Sequence, residues 1–64
     1  MKVLILQDIA GVKTKSGSNL YARKGQQLTV NNTREDGSLI VAGKEKAGVF
    51  ILFKADENIK YKIV

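Results

Sequence analysis

The fold is decided by Asn19–Phe53, NLYARKGQQLTVNNTREDGSLIVAGKEKAGVFILF. This stretch reads as three short strands joined by two tight turns. Lys24-Gly25 precedes the first strand, Asp36-Gly37 precedes the second, and Gly43-Lys44-Glu45-Lys46 separates the second from the third. Gln27 to Asn31 alternates, which turns Leu28 and Val30 to a buried face and Gln27, Thr29 and Asn31 to solvent. Asp36-Gly37 suits a turn position where the backbone needs positive φ. Ser38 to Ala42 and Ala47 to Phe53 then form a hairpin.

Working outward, Val3 to Leu6 is a compact apolar run and reads as an opening strand. Ile9 to Gly25 carries three glycines and no clear periodicity, which predicts a long, hairpin-like loop. Within it Leu20 and Ala22 are expected to face inward, with Tyr21 on the opposite side. Ala55 to Asn58 reads as a single helical turn. Ile59 to Ile63 alternates sharply, predicting a closing strand with Ile59, Tyr61 and Ile63 inward and Lys60 and Lys62 in solvent. No window has a helical apolar period. The sequence therefore predicts one all-β domain over residues 1–64, a five-stranded small barrel with a short helical turn near residues 55–58.

A 64-residue chain buries only roughly 60% of its unfolded surface, so its core is small. It contains no Cys and no His, so neither a disulfide nor a thiolate or imidazole metal site can staple it. Lack of Cys fits a reducing compartment. The apolar run at the start stops at Gln7-Asp8, short of a secretory core of roughly 7–15 residues. No segment approaches the roughly 20 apolar residues that span a bilayer. The expectation is a cytoplasmic protein with no membrane partner. Eleven basic against six acidic residues give a net charge of +5, which attracts polyanions and equally keeps a small domain in solution.

The segment Leu20–Val30, LYARKGQQLTV, resembles the Src-homology-3 (SH3) pattern, in which a Leu precedes Lys-Gly and a strand of alternating apolar residues. The later order is similar too: a loop, a three-stranded meander, one helical turn and a short closing strand. The resemblance implies an SH3-like barrel in which Ile9–Gly25 is the long loop, Asn32–Gly37 the second loop and Gly43–Lys46 the distal hairpin. SH3 domains bind proline-rich ligands on an aromatic surface, built from an ALYDY-type motif, a Trp pair and a late Pro-plus-Tyr motif. Here the opening strand is VLILQDI, Ser38-Leu39 stands where the Trp pair is expected, and Leu52-Phe53-Lys54-Ala55 replaces the late motif. With no Pro and no Trp in the chain, only the scaffold carries over, and no proline-rich peptide is expected as ligand.

Catalysis is disfavoured by residue type. Without His or Cys there is no imidazole base and no thiolate nucleophile. The paired carboxylates Glu35-Asp36 and Asp56-Glu57 fall in turns, where acidic residues are expected on conformational grounds. Lys13-Thr14-Lys15-Ser16-Gly17-Ser18 lacks the spacing of a phosphate-binding loop. No enzyme activity, cofactor or metal is predicted.

Two binding readings remain open. Val3–Leu6, Leu39–Ala42 and Val49–Phe53 are apolar on both faces instead of alternating, more than a sheet with one wet face requires. Apolar side chains left outside would form a protein or self-association surface, with Ile40, Phe50 and Leu52 as expected contacts, or else Val49, Ile51 and Phe53. The alternative is non-specific duplex DNA binding through Lys13, Lys15, Arg23, Lys24, Lys60 and Lys62, with Lys2 beside the last two if the terminal strands pair. Small basic archaeal chromatin barrels resemble the chain in size and charge, though not in sequence. The bland reading of Lys60 and Lys62 is protection of an edge strand.

Overall fold

The computed structural model describes residues 1–10, 20–45 and 48–64, and its architecture is all-β. Seven strands occur among these residues: β1 (Lys2–Ile5), β2 (Ile9–Ala10), β3 (Leu20–Ala22), β4 (Gln27–Thr33), β5 (Leu39–Ala42), β6 (Val49–Leu52) and β7 (Tyr61–Ile63). Five of them form one curled antiparallel sheet in the order β6-β5-β4-β1-β7, and β2 pairs with β3 as a separate ribbon. A curled sheet of this kind is compatible with an SH3-like barrel. The expected long loop thus begins and ends as a hairpin, and residues 11–19 at its centre lie outside the described residues.

The longest strand, β4, lies between β1 and β5 and joins the two halves of the sheet. Lys2, Val3 and Leu4 of β1 lie opposite Thr29, Leu28 and Gln27 of β4. On its other edge β4 pairs with β5, Val30 opposite Val41 and, after a register shift between Val30 and Asn32, Asn32 opposite Ile40 and Thr33 opposite Leu39. A bulge of this kind bends a strand and increases its twist, so the two halves of the sheet curl toward each other. The core fills the space between them. Val3, Ile5, Ala22, Leu28, Leu39, Val41, Phe50, Leu52 and Tyr61 are its buried members. The alternation expected in β4 is observed, with Leu28 fully buried, Val30 half-buried and Gln27, Thr29 and Asn31 exposed.

Turn chemistry sets the connections. Gln26 N–H donates to the Arg23 carbonyl at 3.1 Å, and Gly25 at φ 91° occupies the third position of that turn, as a type II turn requires. Between β4 and β5, Gly37 N–H donates to the Arg34 carbonyl at 3.0 Å and Arg34 N–H to the Ser38 carbonyl at 2.8 Å. This is a three-residue hairpin loop closed by a left-handed residue, and Gly37 supplies it at φ 89°. The Asp36 carboxylate accepts the Ser38 N–H at 2.9 Å, which fixes the turn and satisfies the one buried polar residue among those described.

Two expectations need correction. The helical turn is a 3₁₀ turn over Lys54–Asp56, one residue earlier than expected. The closing strand is shorter than its alternation suggests: Tyr61 is fully buried, but Ile59 is 62% and Ile63 46% exposed. Asn58 takes a left-handed conformation at φ 66°, and the N–H groups of Ile59 and Lys60 both donate to the Asp56 carbonyl, so Ile59 sits in a turn and not in the strand. Ile63 follows Tyr61 on the inner face, opposite Val3, but β7 is the outermost strand and leaves it at the sheet margin. The buried Tyr61 is fixed at its polar end as well, its hydroxyl donating to the Phe53 carbonyl at 3.1 Å.

A Cβ added at Gly37 would stand 3.2 Å from the Lys54 Cδ, on top of the unfavourable positive φ. Gly37→Ala should therefore destabilise the fold by about 1–2 kcal/mol in denaturant titrations. An unchanged unfolding midpoint would contradict this account of the turn.

Candidate functional site

The hairpin of β5 and β6 decides which apolar residues remain outside. In its register Leu39 lies opposite Leu52, Ile40 opposite Ile51, Val41 opposite Phe50 and Ala42 opposite Val49. Cross-strand partners share a face, so Leu39, Val41, Phe50 and Leu52 enter the core together. Phe50 and Leu52 are 9% and 3% exposed, so neither presents a contact surface, which corrects the expectation for these two positions. Their burial also has an aromatic component. The Tyr21 ring stacks on Phe50 with centroids 5.3 Å apart and planes 18° from parallel, so Tyr21 packs against the core instead of facing away from it.

The opposite face carries Ile40, Ala42, Val49 and Ile51, with Phe53 continuing the alternation just past β6. Val49 is 60% and Phe53 58% exposed, while Ile40, Ala42 and Ile51 are half-buried. No charged residue occurs from Val49 to Phe53. This is a contiguous strip of aliphatic and aromatic surface on the outermost strand at one end of the sheet. Of the alternatives left open by the sequence, the set of Val49, Ile51 and Phe53 is therefore the outward one, and Ile40 belongs with it.

Among the described residues, three basic side chains are engaged by carboxylates. Arg23 Nε is hydrogen-bonded to the Glu45 carboxylate, which also accepts a 3.2 Å hydrogen bond from the Gln26 amide. Lys60 Nζ lies 3.8 Å from Asp56 and is half-buried, and Lys54 Nζ is 2.9 Å from Glu57. Lys24 has its backbone N–H tied to the Asp8 carboxylate at 2.8 Å, which anchors the turn before β4. Lys13 and Lys15 lie outside the described residues. The terminal strands do pair, with Leu4 opposite Lys62 and Val64 N–H donating to the Lys2 carbonyl at 3.0 Å. Lys2 and Lys62 thus share the outer face of β1 and β7, both exposed. Sequence reasoning found this pair, but the compensation of Arg23 and Lys60 depends on turns that residue spacing does not show.

Among the described residues no group of His, Cys, Asp or Glu is placed to hold a metal ion. No helix among them is long and apolar enough to cross a membrane. No family model matches the chain, and comparisons with curated proteins and with solved structures return no significant match.

Two carboxylates report on the integrity of the turns at either end of β5. The Arg23 hydrogen bond, helped by Gln26, holds Glu45 below its usual range. Hydrogen bonds from Ser38 do the same for Asp36. A depressed folded-state value favours folding above the unfolded-state value and loses that contribution as pH falls through the folded one. Stability measured by denaturant titration should therefore decline as pH drops from about 5 toward 2. Glu45→Gln should remove part of this slope, and an identical slope in that variant would exclude the Arg23–Glu45 contribution.

Proposed function

We propose that this chain is a non-enzymatic, SH3-like interaction module acting through protein contacts or self-assembly, and that the outer face of β5 and β6 is its contact surface. The observation that carries the reading is the exposure of Val49 and Phe53 beside Ile40 and Ile51 on an uncharged outermost strand. Apolar surface exposed in a contiguous patch marks interaction sites more often than scattered single residues do. The SH3-like assignment is supported by the order of elements: the hairpin ends of a long loop, the meander β4-β5-β6, a 3₁₀ turn and a short strand that returns to β1.

The same scaffold has a different ligand chemistry from that of SH3 domains. The aromatic groove for proline-rich peptide needs exposed rings, and here Tyr61 is buried and Tyr21 is stacked on Phe50. A polyanion reading finds support in the neighbouring exposed Lys2 and Lys62, but that pair by itself gives a weak phosphate surface, and the apolar face is the more distinctive feature.

Photo-cross-linking tests the proposal directly. A benzophenone amino acid at position 53 should give discrete adducts in cells producing the protein, whereas one at the exposed polar position 29 should give at least several-fold less. Val49→Lys should suppress the adducts from position 53. Equal labelling from both positions, or labelling indifferent to Val49→Lys, would contradict the assigned surface.

A further inference from the structure

The two outermost strands of the main sheet are defended unequally. On β7, Lys62 and the adjoining Lys60 put charge where a foreign strand would dock, a common device against edge-to-edge pairing. On β6 the sequence Val49-Phe50-Ile51-Leu52 has no charge, no Pro and, among the described residues, no partner other than β5.

The direction of the β6 backbone groups follows from the hairpin. Gly43 N–H donates to the Gly48 carbonyl at 3.2 Å, which makes these two a hydrogen-bonded pair. Pairs alternate along an antiparallel ladder, so Val41–Phe50 and Leu39–Leu52 are hydrogen-bonded, and Ala42–Val49 and Ile40–Ile51 are not. The N–H and C=O groups of Val49 and Ile51 therefore point away from β5, out of the sheet edge. The side chains on the outer face and the available backbone groups belong to the same residues.

Resting on the interaction reading above, we propose that the occupant of this surface is a second copy of the chain, joined by antiparallel β6–β6 pairing about a two-fold axis through Ile51. In that register Ile51 lies opposite Ile51 of the second copy, and Val49 lies opposite Phe53 of the second copy, twice over. The two most exposed side chains of the strip thus cover each other as an aromatic–β-branched cross-strand pair. The interface is isologous and closes after two copies, which prevents a growing filament. Ile51 exchanges two backbone hydrogen bonds across the axis. Phe53 contributes only its N–H, because its carbonyl already accepts from Asp56 N–H at 3.0 Å and from the Tyr61 hydroxyl.

Charge favours this strip as the meeting point. Each copy carries +5, and β6 is a neutral stretch along which two such molecules can approach. The contact is small, below the roughly 1,200 Å² at which standard stable complexes begin, so the dimer is weak and reversible. Screening of like charges should strengthen it as salt rises from low to physiological concentration, the reverse of phosphate binding.

Sedimentation velocity and amide hydrogen exchange on the whole chain, from micromolar to millimolar concentration, test the proposal. The expected result is a monomer–dimer equilibrium favoured by salt, with the Ile51 amide slowed about tenfold at the dimeric end, and both effects lost in Val49→Lys. Val49 is mostly exposed, so that variant should keep the parent unfolding midpoint, which denaturation checks. A dimer in which the Ile51 amide stays fast would overturn edge pairing while leaving the outer face as the contact surface. A monomer at millimolar concentration in physiological salt would overturn the homodimer altogether. The cross-linking experiment would then decide separately whether the face serves another protein.

Discussion

β4 lies between β1 and β5, and the register shift between Val30 and Asn32 bends it, with β1 and β7 on one edge and β5 and β6 on the other. Bending of this seven-residue strand adds to the curl that gives the sheet a concave side in which the core collects. Curling brings Val3, Ile5, Leu28 and Tyr61 from one half against Leu39, Val41, Phe50 and Leu52 from the other. Because one face of each strand fills the core, a strand that is apolar on both faces must leave its second set outside. The exposed strip on β5 and β6 is therefore a consequence of the bend combined with a sequence that does not alternate there.

The parts of the fold that were legible in the sequence are those governed by local chemistry. Alternation in Gln27–Asn31 gave the correct faces of β4, and Asp36-Gly37 marked a position that does need positive φ. Alternation misled at Ile59–Ile63, because the turn with Asn58 in the left-handed region runs through Lys60, two residues further than the pattern suggests, and because an outermost strand has a neighbour on one side only. Periodicity reports what a strand would bury if it were flanked, not whether it is.

The candidate surface was half legible. Apolarity on both faces of the last hairpin signalled surplus aliphatic surface, but a run such as Val49-Phe50-Ile51-Leu52-Phe53 does not say which face is inward. Register decides that, and it depends on the pairing of Phe50 with Val41 and of Leu52 with Leu39. Likewise, the lysines and arginines were visible as a list, whereas the neutralisation of Arg23 by Glu45 and of Lys60 by Asp56 required the folded turns. The stack of Tyr21 on Phe50 joins the end of the long loop to the hairpin, a contact between residues far apart in the chain that no spacing rule anticipates.

The central claim is that β6 turns Phe50 and Leu52 inward and holds Val49 and Phe53 outward as a contact surface. Paramagnetic broadening of side-chain methyl and ring signals by a soluble, uncharged gadolinium chelate tests both halves in one sample series. In dilute solution Val49 and Phe53 should broaden strongly and Phe50 and Leu52 little, and at high concentration Val49 and Phe53 should become shielded. Strong broadening of Phe50 and Leu52, or exposure of Val49 and Phe53 that never changes with concentration or with any protein present, would contradict the account.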